Sequence, residues 1–405
     1  MDRAPNTSRV QGPSAPVGEE SRDSQAIQGG TRKPFRGAAR NTQAVRPLSA
    51  GGTNCQPKGE IRRPCDAITM DQALPIELDE ENLPAYLAGR GLLAAPGQAR
   101  VRLMTGGVSN RAFRVEGPDG ASVVKQARPR LAVELEWRAD VNRIVREGEA
   151  MQWLFDRIGP PRIPRLLHLD REAKVLVMEA ISPAAENYKT LLLRGEVDGP
   201  LAGQFGTLLA EIHNATGDEA TRARFEDATF FDQLRLSPYY GTVAERHPDL
   251  AGRLGALRSE CLGERYCLVH GDYSPKNILV RDGGLVLLDY EVAHWGNPSF
   301  DIGFALTHFL CKALHLPQRG GAFLAAARLF WRRYRERAAL PRPSLAHAGH
   351  HLAALMLARM DGKSPLEYFT DEARRAQVRE IARAALLRAD TTVADVTDAV
   401  EERLS

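Results

Sequence analysis

The chain has 405 residues, of which 43% are hydrophobic and 26% are charged, as is ordinary for a globular protein. Its formal net charge is +3. Residues 1–69 hold 11 Lys/Arg and 6 Asp/Glu and so carry +5, which leaves −2 for the remaining residues. A nearly neutral body gives no electrostatic support for nucleic-acid binding, which requires a clustered basic surface. We therefore expect no nucleic-acid partner.

The cysteines and the apolar segments indicate the compartment. The five cysteines are Cys55, Cys65, Cys261, Cys267 and Cys311, an odd number without paired spacing. The sequence shows no secretory apolar region and no apolar run near the roughly 20 residues that a membrane helix needs. These features predict a cytoplasmic protein with free thiols and without a membrane partner.

The first segment differs from the rest of the chain. Residues 1–69 are rich in Gly, Pro, Ser and Arg and show no periodicity. Such a composition cannot bury enough apolar surface to offset the entropy lost on ordering. We predict a disordered basic tail, either a dispensable extension or an interaction arm. Because the composition changes abruptly after it, Met70 is an alternative start.

Short β-type segments dominate the next part of the chain. The strands predicted there cover 101–103, 112–115, 121–126, 165–169 and 174–179. One long helix is predicted over 138–157, because its apolar residues follow an i, i+3, i+4 spacing. The pattern predicts a five-stranded antiparallel sheet with one main helix laid across it.

Beyond about residue 181 the periodicity is mostly helical. The predicted helices lie near 199–213, 244–261, 301–315, 321–337, 344–360 and 371–388, and the short strands near 266–269, 277–280 and 285–288. We expect an α+β fold of two lobes, with a sheet lobe over 70–180, a helical lobe over 181–405 and a cleft between them.

Two motifs carry the strongest chemical signal. H-G-D-Y-S-P-K-N spans 270–277 and follows an apolar strand, and L-L-D-Y-E spans 287–291. Phosphoryl transfer to an alcohol needs a carboxylate that orients and deprotonates the hydroxyl group, and oxygen ligands for Mg²⁺. Asp272 is predicted to supply the first function, and Asn277 and Asp289 to supply the second.

The two motifs resemble those of the aminoglycoside phosphotransferase and methylthioribose kinase family, within the protein-kinase-like superfamily. The resemblance implies a two-lobed protein-kinase-like fold, with Asp272 as the catalytic base and Asn277 and Asp289 as metal ligands. The Asp-x-Glu pattern is similar to that of methylthioribose kinases and implies that Glu291 also serves the metal site.

One aspartate and several histidines outside these assignments call for an interpretation. Asp301 matches a family aspartate that we interpret as a brace of the catalytic loop, and His270 is interpreted as a brace rather than a proton carrier. His347, His350 and His351 have a helical spacing that suits a metal. Without a neighbouring carboxylate or cysteine in the sequence, ordinary helix surface is the preferred interpretation.

The first half of the body also contains a candidate phosphate site. A Gly-rich turn between two predicted strands offers backbone N–H groups that can close over phosphates. The turn residues assigned to this role are Gly106, Gly107, Ser109 and Asn110. Lys125 ends a strand one hairpin later, where a kinase places the lysine that binds the α- and β-phosphates.

A lysine in this position needs a carboxylate partner on the following helix. The candidates are Glu147 and Glu149, of which Glu147 lies nearer the inner face at 100° per residue. The Trp153-Leu154 pair that follows also resembles the family pattern around this glutamate. We therefore predict an ion pair between Lys125 and Glu147.

The segment 175–181 stands where the kinase fold places its hinge. Adenine is expected to bond to backbone groups near Glu179 and Ile181. Met178 either lines the adenine pocket or packs in the core. ATP and Mg²⁺ are therefore the expected cofactors.

The sequence leaves little room for a protein substrate. Gly271 replaces the arginine that protein kinases use in activation, and only eleven residues separate Asp289 from Asp301. We expect a small-molecule hydroxyl acceptor, for which a sugar-like alcohol such as methylthioribose is the most similar case. Arg359 is a candidate contact for that acceptor.

Three alternatives remain open at the level of sequence. A basic helix near 331–337 and the neutral balance argue against polycationic aminoglycosides, although a local acidic pocket would accept them. Asn277 departs from the serine that is typical of methylthioribose kinases and weakens that analogy. A kinase of a hydroxyacyl thioester or lipid-like alcohol is a second alternative, because the family that the chain resembles includes such members. A nucleotide-binding pseudokinase is the third. The oligomeric state is left open.

Overall fold

The computed structural model describes residues 75–104, 110–128 and 140–404, the side chains of Arg342 and Pro343 excepted. The predicted tail over 1–69 and the alternative start Met70 lie outside these residues. The same holds for most of the Gly-rich turn.

A five-stranded antiparallel sheet forms the first part of the described chain, with the strand order β1-β2-β3-β5-β4. Its strands are β1 Arg100–Met104, β2 Asn110–Gly117, β3 Gly120–Ala127, β4 Leu166–Asp170 and β5 Val175–Glu179. The prediction of five antiparallel strands is confirmed. Among the described residues, the main helix α2 spans Arg143–Ile158, and the short helix α1 spans Leu83–Ala88.

Alternation along the strands distributes apolar side chains to both faces of this sheet. Val124 and Val177 belong to the cluster that contains Leu83 of α1. Val123 and its pairing partner Met178 point the other way, into the large core that contains Ile144 of α2. The sheet is therefore covered by α1 on one face and by α2 on the other.

The rest of the described chain is mostly helical, as predicted. Its helices are α3 Tyr188–Leu193, α4 Gly199–Ala215, α5 Glu219–Phe225, α6 Thr229–Phe231, α7 Thr242–Arg246, α8 Ala251–Gly263, α9 Pro298–His315, α10 Gly320–Arg337, α11 Ala348–Asp361, α12 Glu372–Leu387 and α13 Val393–Glu402. Short 3₁₀ turns lie at Pro96–Gln98, Pro248–Leu250, Pro275–Asn277, Pro317–Arg319 and Arg342–Leu345. Among the described helices, none combines the length and apolar character that a bilayer span requires.

The single helix predicted near 244–261 is wrong. The chain forms α7 and α8 there, separated by the turn at Pro248. His247 has φ −128° and ψ 74°, outside the helical region. The ring of Pro248 disfavours a helical residue before it, so that the helix ends at Arg246.

Helix α11 also corrects an interpretation of the histidines. His350 and His351 are buried, not surface residues, because α11 is buried along its whole length. The Nδ1 atom of His351 lies 2.8 Å from the hydroxyl of Tyr240, and the carboxylate of Glu260 is 3.6 Å from its Nε2. The described residues contain no group of three or more His, Cys, Asp or Glu side chains arranged for a metal ion.

Two small antiparallel sheets hold the loops that follow the large one. Strand β6 Glu186–Asn187 pairs with β8 Ile278–Arg281, which pairs with β9 Gly284–Leu287. Strand β7 Cys267–Val269 pairs with β10 His294–Gly296. The motif 270–277 therefore leaves one small sheet and enters the other, which fixes both of its ends.

A ten-residue π-helix, Asp232–Gly241, joins α6 to α7. No signal in the sequence predicted it. Such segments are rare and are frequently found at functional sites. This one contains Pro238 and carries Arg235 and Tyr239 on the same stretch of backbone.

The helices α4 and α10 approach each other closely at Gly206. A Cβ atom placed on Gly206 would lie 2.2 Å from the carbonyl oxygen of Phe330, which is backbone and cannot move aside alone. Replacement Gly206→Ala is therefore expected to lower the free energy of unfolding by about 1–3 kcal/mol, as overpacking does. Urea denaturation followed by circular dichroism measures this change.

Gly255 is the matched control, since it lies inside α8 with no atom within 4 Å of an added Cβ. Gly255→Ala should raise the free energy of unfolding by about 0.5–1 kcal/mol. Equal effects of the two substitutions would contradict the close approach of α4 and α10.

Candidate functional site

Asp301 fixes the start of the loop that carries the first motif. Its carboxylate, fully buried near the start of α9, accepts hydrogen bonds from the backbone N–H of His270 at 2.7 Å and of Gly271 at 2.8 Å. The His213 ring lies 3.4 Å from the same carboxylate. A buried carboxylate with two backbone donors orients the loop strongly, because charge-assisted hydrogen bonds are short and directional.

His270 links the two motifs. Its Nδ1 accepts from the backbone N–H of Asp272 at 3.2 Å, so its Nε2 carries the proton and donates to the carbonyl of Leu288 at 3.1 Å. Burial lowers the pKa of His270, which keeps the ring in this neutral form. Leu288 immediately precedes Asp289, and the imidazole therefore sets the spacing between the two acidic positions.

Gly271 has a conformational reason to be glycine. Its φ is +74°, in the left-handed region where a side chain is strained. A Cβ atom there would also lie 2.9 Å from a methyl group of Val292 and 3.2 Å from the ring of Phe231. The backbone conformation and the close neighbours thus require glycine at position 271, where protein kinases have an arginine.

Arg235 of the π-helix holds Asp272. One guanidinium nitrogen lies 2.8 Å from the Asp272 carboxylate, and its Nε donates to the carbonyl of Gly271 at 3.0 Å. Both side chains are about nine-tenths buried. The sequence analysis missed Arg235, because its position next to Asp272 depends on how a helix 37 residues earlier packs.

Asn277 lies at the other end of the loop and is buried. Its Nδ2 donates to the backbone carbonyl of Asp272 at 3.0 Å. This bond fixes the amide so that Nδ2 serves the loop while Oδ1 remains the atom with ligand capacity.

Lys125 joins the large sheet to the second motif. Its ammonium lies 2.6 Å from the carboxylate of Glu147 on α2 and 3.1 Å from that of Asp289. Burial opposes its charge, but the two carboxylates raise the pKa of Lys125 above its usual range. Burial likewise opposes the ionisation of Asp289, while Lys125 and Lys276 hold its pKa below the usual range. Burial raises the pKa of Glu147 to about 7, against the opposing charge of Lys125. Lys125 and Asp289 are therefore charged at neutral pH, whereas Glu147 titrates close to it.

Asp289 itself adopts a left-handed backbone, with φ 71°. Aspartate tolerates this region better than most residues. Asp289 lies two residues after the end of β9, and its carboxylate lies 3.1 Å from the ammonium of Lys125.

Glu291 is held by Arg143, a second residue that the sequence analysis missed. The Arg143 Nε lies 3.2 Å from the Glu291 carboxylate, and the guanidinium also donates to the backbone carbonyls of Asp140 and Arg128 at 2.9 Å each. Burial and the charge of Asp289 raise the pKa of Glu291. Two carboxylates are thus crowded at the end of the second motif.

This crowding is the test of whether a metal ion fits. Asp289, Glu291 and the Oδ1 of Asn277 would offer oxygen donors alone, which is the donor chemistry that a hard cation such as Mg²⁺ prefers. A divalent cation would relieve the repulsion that raises the pKa of Glu291. The residues present therefore fit the ion.

The predicted hinge follows β5. Met178 is buried and packs in the large core. The N–H of Glu179 donates to the carbonyl of Arg165, and the carbonyl of Ile181 accepts from Arg114 at 3.0 Å. In the described part of the chain, the N–H of Ile181 makes no hydrogen bond, which leaves a backbone donor at this edge.

The Gly-rich turn is described only at its end. Asn110 is buried at the start of β2, and its Oδ1 has no hydrogen-bond partner among the described residues. Gly106, Gly107 and Ser109 lie outside the described residues.

Comparisons with known proteins agree with the motifs. The model of the phosphotransferase enzyme family matches residues 100–340. Methylthioribose kinase of Yersinia enterocolitica is 28% identical over 247 residues, which cover 54% of this chain and 61% of that protein. Methylthioribose kinase of Klebsiella pneumoniae is 28% identical over 252 residues, with the same coverages. The chain thus spans about six tenths of the length of these relatives.

Two solved structures are similar in fold. A choline/ethanolamine kinase family protein from Mesorhizobium loti has a TM-score of 0.48 and 17% identity, and covers 79% of this chain and 98% of its own. The apoenzyme of macrolide 2'-phosphotransferase MphH from Brachybacterium faecium has a TM-score of 0.45 and 18% identity, with coverages of 78% and 96%.

Asp301→Asn tests the brace. The substitution leaves one oxygen for two backbone donors and places an NH₂ group against the second N–H. We expect a loss of roughly 2–3 kcal/mol in the free energy of unfolding, the cost of an unsatisfied buried donor. Asp249→Asn, which removes a half-exposed carboxylate paired with Arg383, should leave the free energy of unfolding nearly unchanged in the same urea titration. Similar losses in both variants would refute the brace.

Proposed function

The chain belongs to the phosphotransferase enzyme family, and we propose that it transfers the γ-phosphate of ATP to a hydroxyl group of a small molecule. The observation that carries the proposal is the ammonium of Lys125 between the carboxylates of Glu147 and Asp289. This arrangement joins the phosphate-binding side of a kinase site to its metal-binding side.

In this proposal the sheet lobe, ending near residue 180, binds the nucleotide. Lys125 holds the α- and β-phosphates, and the turn with Gly106, Gly107, Ser109 and Asn110 covers them. The hinge binds adenine, with Met178 behind the ring. The backbone carbonyl of Glu179 supplies the acceptor, and the free N–H of Ile181 supplies the donor, that an adenine edge requires. The carbonyl of Ile181 already accepts one hydrogen bond from Arg114.

The helical lobe supplies the metal ligands and the base. Asn277, Asp289 and Glu291 would hold Mg²⁺, which would supply positive charge against the negative charge of the phosphates. Asp272 accepts the proton of the acceptor hydroxyl while the oxygen of that hydroxyl forms the new bond to the γ-phosphorus. The bond from that phosphorus to the β–γ bridging oxygen breaks, and ADP leaves with the bridging oxygen.

Arg235 is a positioning residue in this scheme. It holds the Asp272 carboxylate by one guanidinium nitrogen and the loop backbone by another. The second carboxylate oxygen of Asp272 then faces the acceptor. The guanidinium also keeps the carboxylate in place during the reaction, which preserves near-attack geometry.

The acceptor proposed from similarity is a sugar-like alcohol such as methylthioribose. The similar methylthioribose kinases support this class. The residues expected of an active kinase are all present in the sequence, which argues against a pseudokinase; they are Lys125, Glu147, Asp272, Asn277 and Asp289. The buried free thiols Cys261, Cys267 and Cys311 support the further proposal of a cytoplasmic location.

Asp272→Asn tests the assignment of the base. Loss of the proton acceptor should lower the rate of transfer roughly 10²- to 10⁴-fold, while the Kd for Mg·ATP stays within about a factor of three. The measurement is coupled ADP release with methylthioribose, other pentoses, aminoglycosides, choline, homoserine and hydroxyacyl thioesters as acceptors. Unchanged turnover in the variant would overturn the assignment.

Arg235→Met separates positioning from binding. Without the guanidinium that holds the Asp272 carboxylate, kcat should fall on the order of tenfold to a hundredfold, and the KM for ATP should stay unchanged. Arg235→Lys keeps the charge without the fork and should recover part of kcat. If kcat is unaffected, or if the KM for ATP changes instead, Arg235 does not act through Asp272.

A further inference from the structure

The helical lobe contains a second group of charged residues, which the proposed reaction does not use. We call Lys189, Lys276, Lys312 and Arg359 the acceptor-side cation cluster. They come from α3, the first motif, α9 and α11 respectively. These four cations come from separate parts of the chain and are brought near one another by the packing of the helical lobe. Their burial and their shortage of carboxylate partners point to a ligand.

Arg359 is the best-defined member of the cluster. Only 9% of its surface is exposed. One guanidinium nitrogen donates to the hydroxyls of Tyr239 and Ser364, both at 3.1 Å. Its Nε is buried without a hydrogen-bond partner, and within the described chain Arg359 makes no ion pair. A buried guanidinium held only by neutral hydroxyls is an uncompensated charge, which is costly unless an anion joins it.

Lys312 repeats the pattern on the neighbouring helix. It is fully buried, and its ammonium contacts only the hydroxyl of Tyr368 at 3.3 Å and the carbonyl of His308 at 3.4 Å. The ammonium also lies 5.0 Å from the centre of the Tyr368 ring. In the part of the chain that the structure describes, no carboxylate pairs with it. Burial lowers the pKa of Lys312 to about 7, as expected of a lysine without a counter-ion.

The ring of Tyr368 brings two of these cations together, since the ammonium of Lys189 lies 5.9 Å and that of Lys312 5.0 Å from its centre. His308 lies beside them, with its carbonyl 3.4 Å from the Lys312 ammonium. It is buried on α9, and burial first, then all four members of the cluster, lower its pKa. The carboxylate that faces the cluster is that of Glu367, which is already paired with Lys189. Because Glu367 is committed to Lys189, the described residues supply no carboxylate that pairs with Arg359 or Lys312.

The cluster lies beside the reacting groups. Lys276 belongs to the first motif and lies one residue before Asn277, in the turn Pro275–Asn277. On the other side, Tyr239 binds Arg359 and stands four residues after Arg235 on the π-helix, within electrostatic range of that guanidinium. Since Arg235 holds Asp272, a short chain of contacts connects Arg359 to the base.

We propose that the acceptor is an anionic alcohol, whose carboxylate or phosphate group binds Arg359 and Lys312 while its hydroxyl group faces Asp272. The proposal rests on the proposed function and narrows its acceptor class. An anion would fill the open donor of Arg359 and compensate two buried charges at once. Polycationic aminoglycosides do not suit this region, because they would add like charge to it.

The test measures acceptor binding without turnover, by calorimetry on the complex with Mg²⁺ and a non-hydrolysable ATP analogue. The probes are matched sets: glycerate and glycerol 3-phosphate beside glycerol, gluconate and glucose 6-phosphate beside glucose, with methylthioribose as the neutral sugar. We expect at least one acid to bind roughly tenfold or more tightly than its neutral parent. The carboxylate and phosphate arms show which anion is preferred.

Arg359→Met should weaken binding of that acid roughly tenfold or more, and Arg359→Lys should weaken it less. Arg332→Met, on the exposed face of α10, is the matched control and should leave binding unchanged. Equal binding by Arg359→Met and Arg332→Met overturns the proposal. So does equal or tighter binding by glycerol, glucose or methylthioribose than by every acid of the panel.

Lys312→Met adds a readout that a purely structural role would not give. Replacing an uncompensated buried amine by an apolar side chain of similar length should raise Tm by roughly 2 °C or more without ligand, while acid binding weakens. A fall in both Tm and acid binding would mean that Lys312 holds the fold rather than a ligand, and would contradict its part in the site.

The outcomes separate this proposal from the proposed function. Acid binding that depends on Arg359, in a protein that transfers no phosphate, would keep the anion site and overturn the kinase. Transfer to neutral alcohols that depends on Asp272, without preference for acids, would keep the kinase and overturn the anion site.

Discussion

The site depends on one ammonium group shared by two carboxylates. Lys125 of the sheet faces Glu147 of α2 and Asp289 of the second motif. Each of these carboxylates would be an uncompensated buried charge without it, and the lysine would be one without them. The position of α2 over the sheet and the turn at the end of β9 are thus fixed by the same contact. The place where phosphates and metal would meet follows from it.

The buried carboxylate of Asp301 positions the backbone of the catalytic loop, as Lys125 positions the side chains of Glu147 and Asp289. Asp301 holds the N–H groups of His270 and Gly271, and His270 carries the constraint on to Leu288. Asp272 and Asp289 are therefore positioned by one connected set of hydrogen bonds. Arg235 and Arg143 then fix the carboxylates of Asp272 and Glu291 from outside this set.

Much of this arrangement could be predicted from the sequence, and the remainder has a common cause. The strands and the main helix follow from local periodicity. The pairing of Lys125 with Glu147 follows from that periodicity together with the resemblance to the kinase family. Arg235 and Arg143 could not be found in this way, since Arg143 meets Glu291 across 148 positions of sequence. The burial of His351 and of Lys312 likewise depends on helices that pack from later parts of the chain. The break at Pro248 is a local signal, but the helical periodicity continues across it and predicted a single helix there.

The most direct test of the account is ³¹P nuclear magnetic resonance of the wild-type protein with Mg·ATP and each alcohol of the panel. It observes the fate of the γ-phosphate without assuming which acceptor is used. The account predicts ADP together with a new phosphomonoester resonance, in equal amounts, for at least one alcohol. ADP with free inorganic phosphate alone, or unchanged ATP across the panel while Mg·ATP still binds, would contradict phosphoryl transfer to a small alcohol.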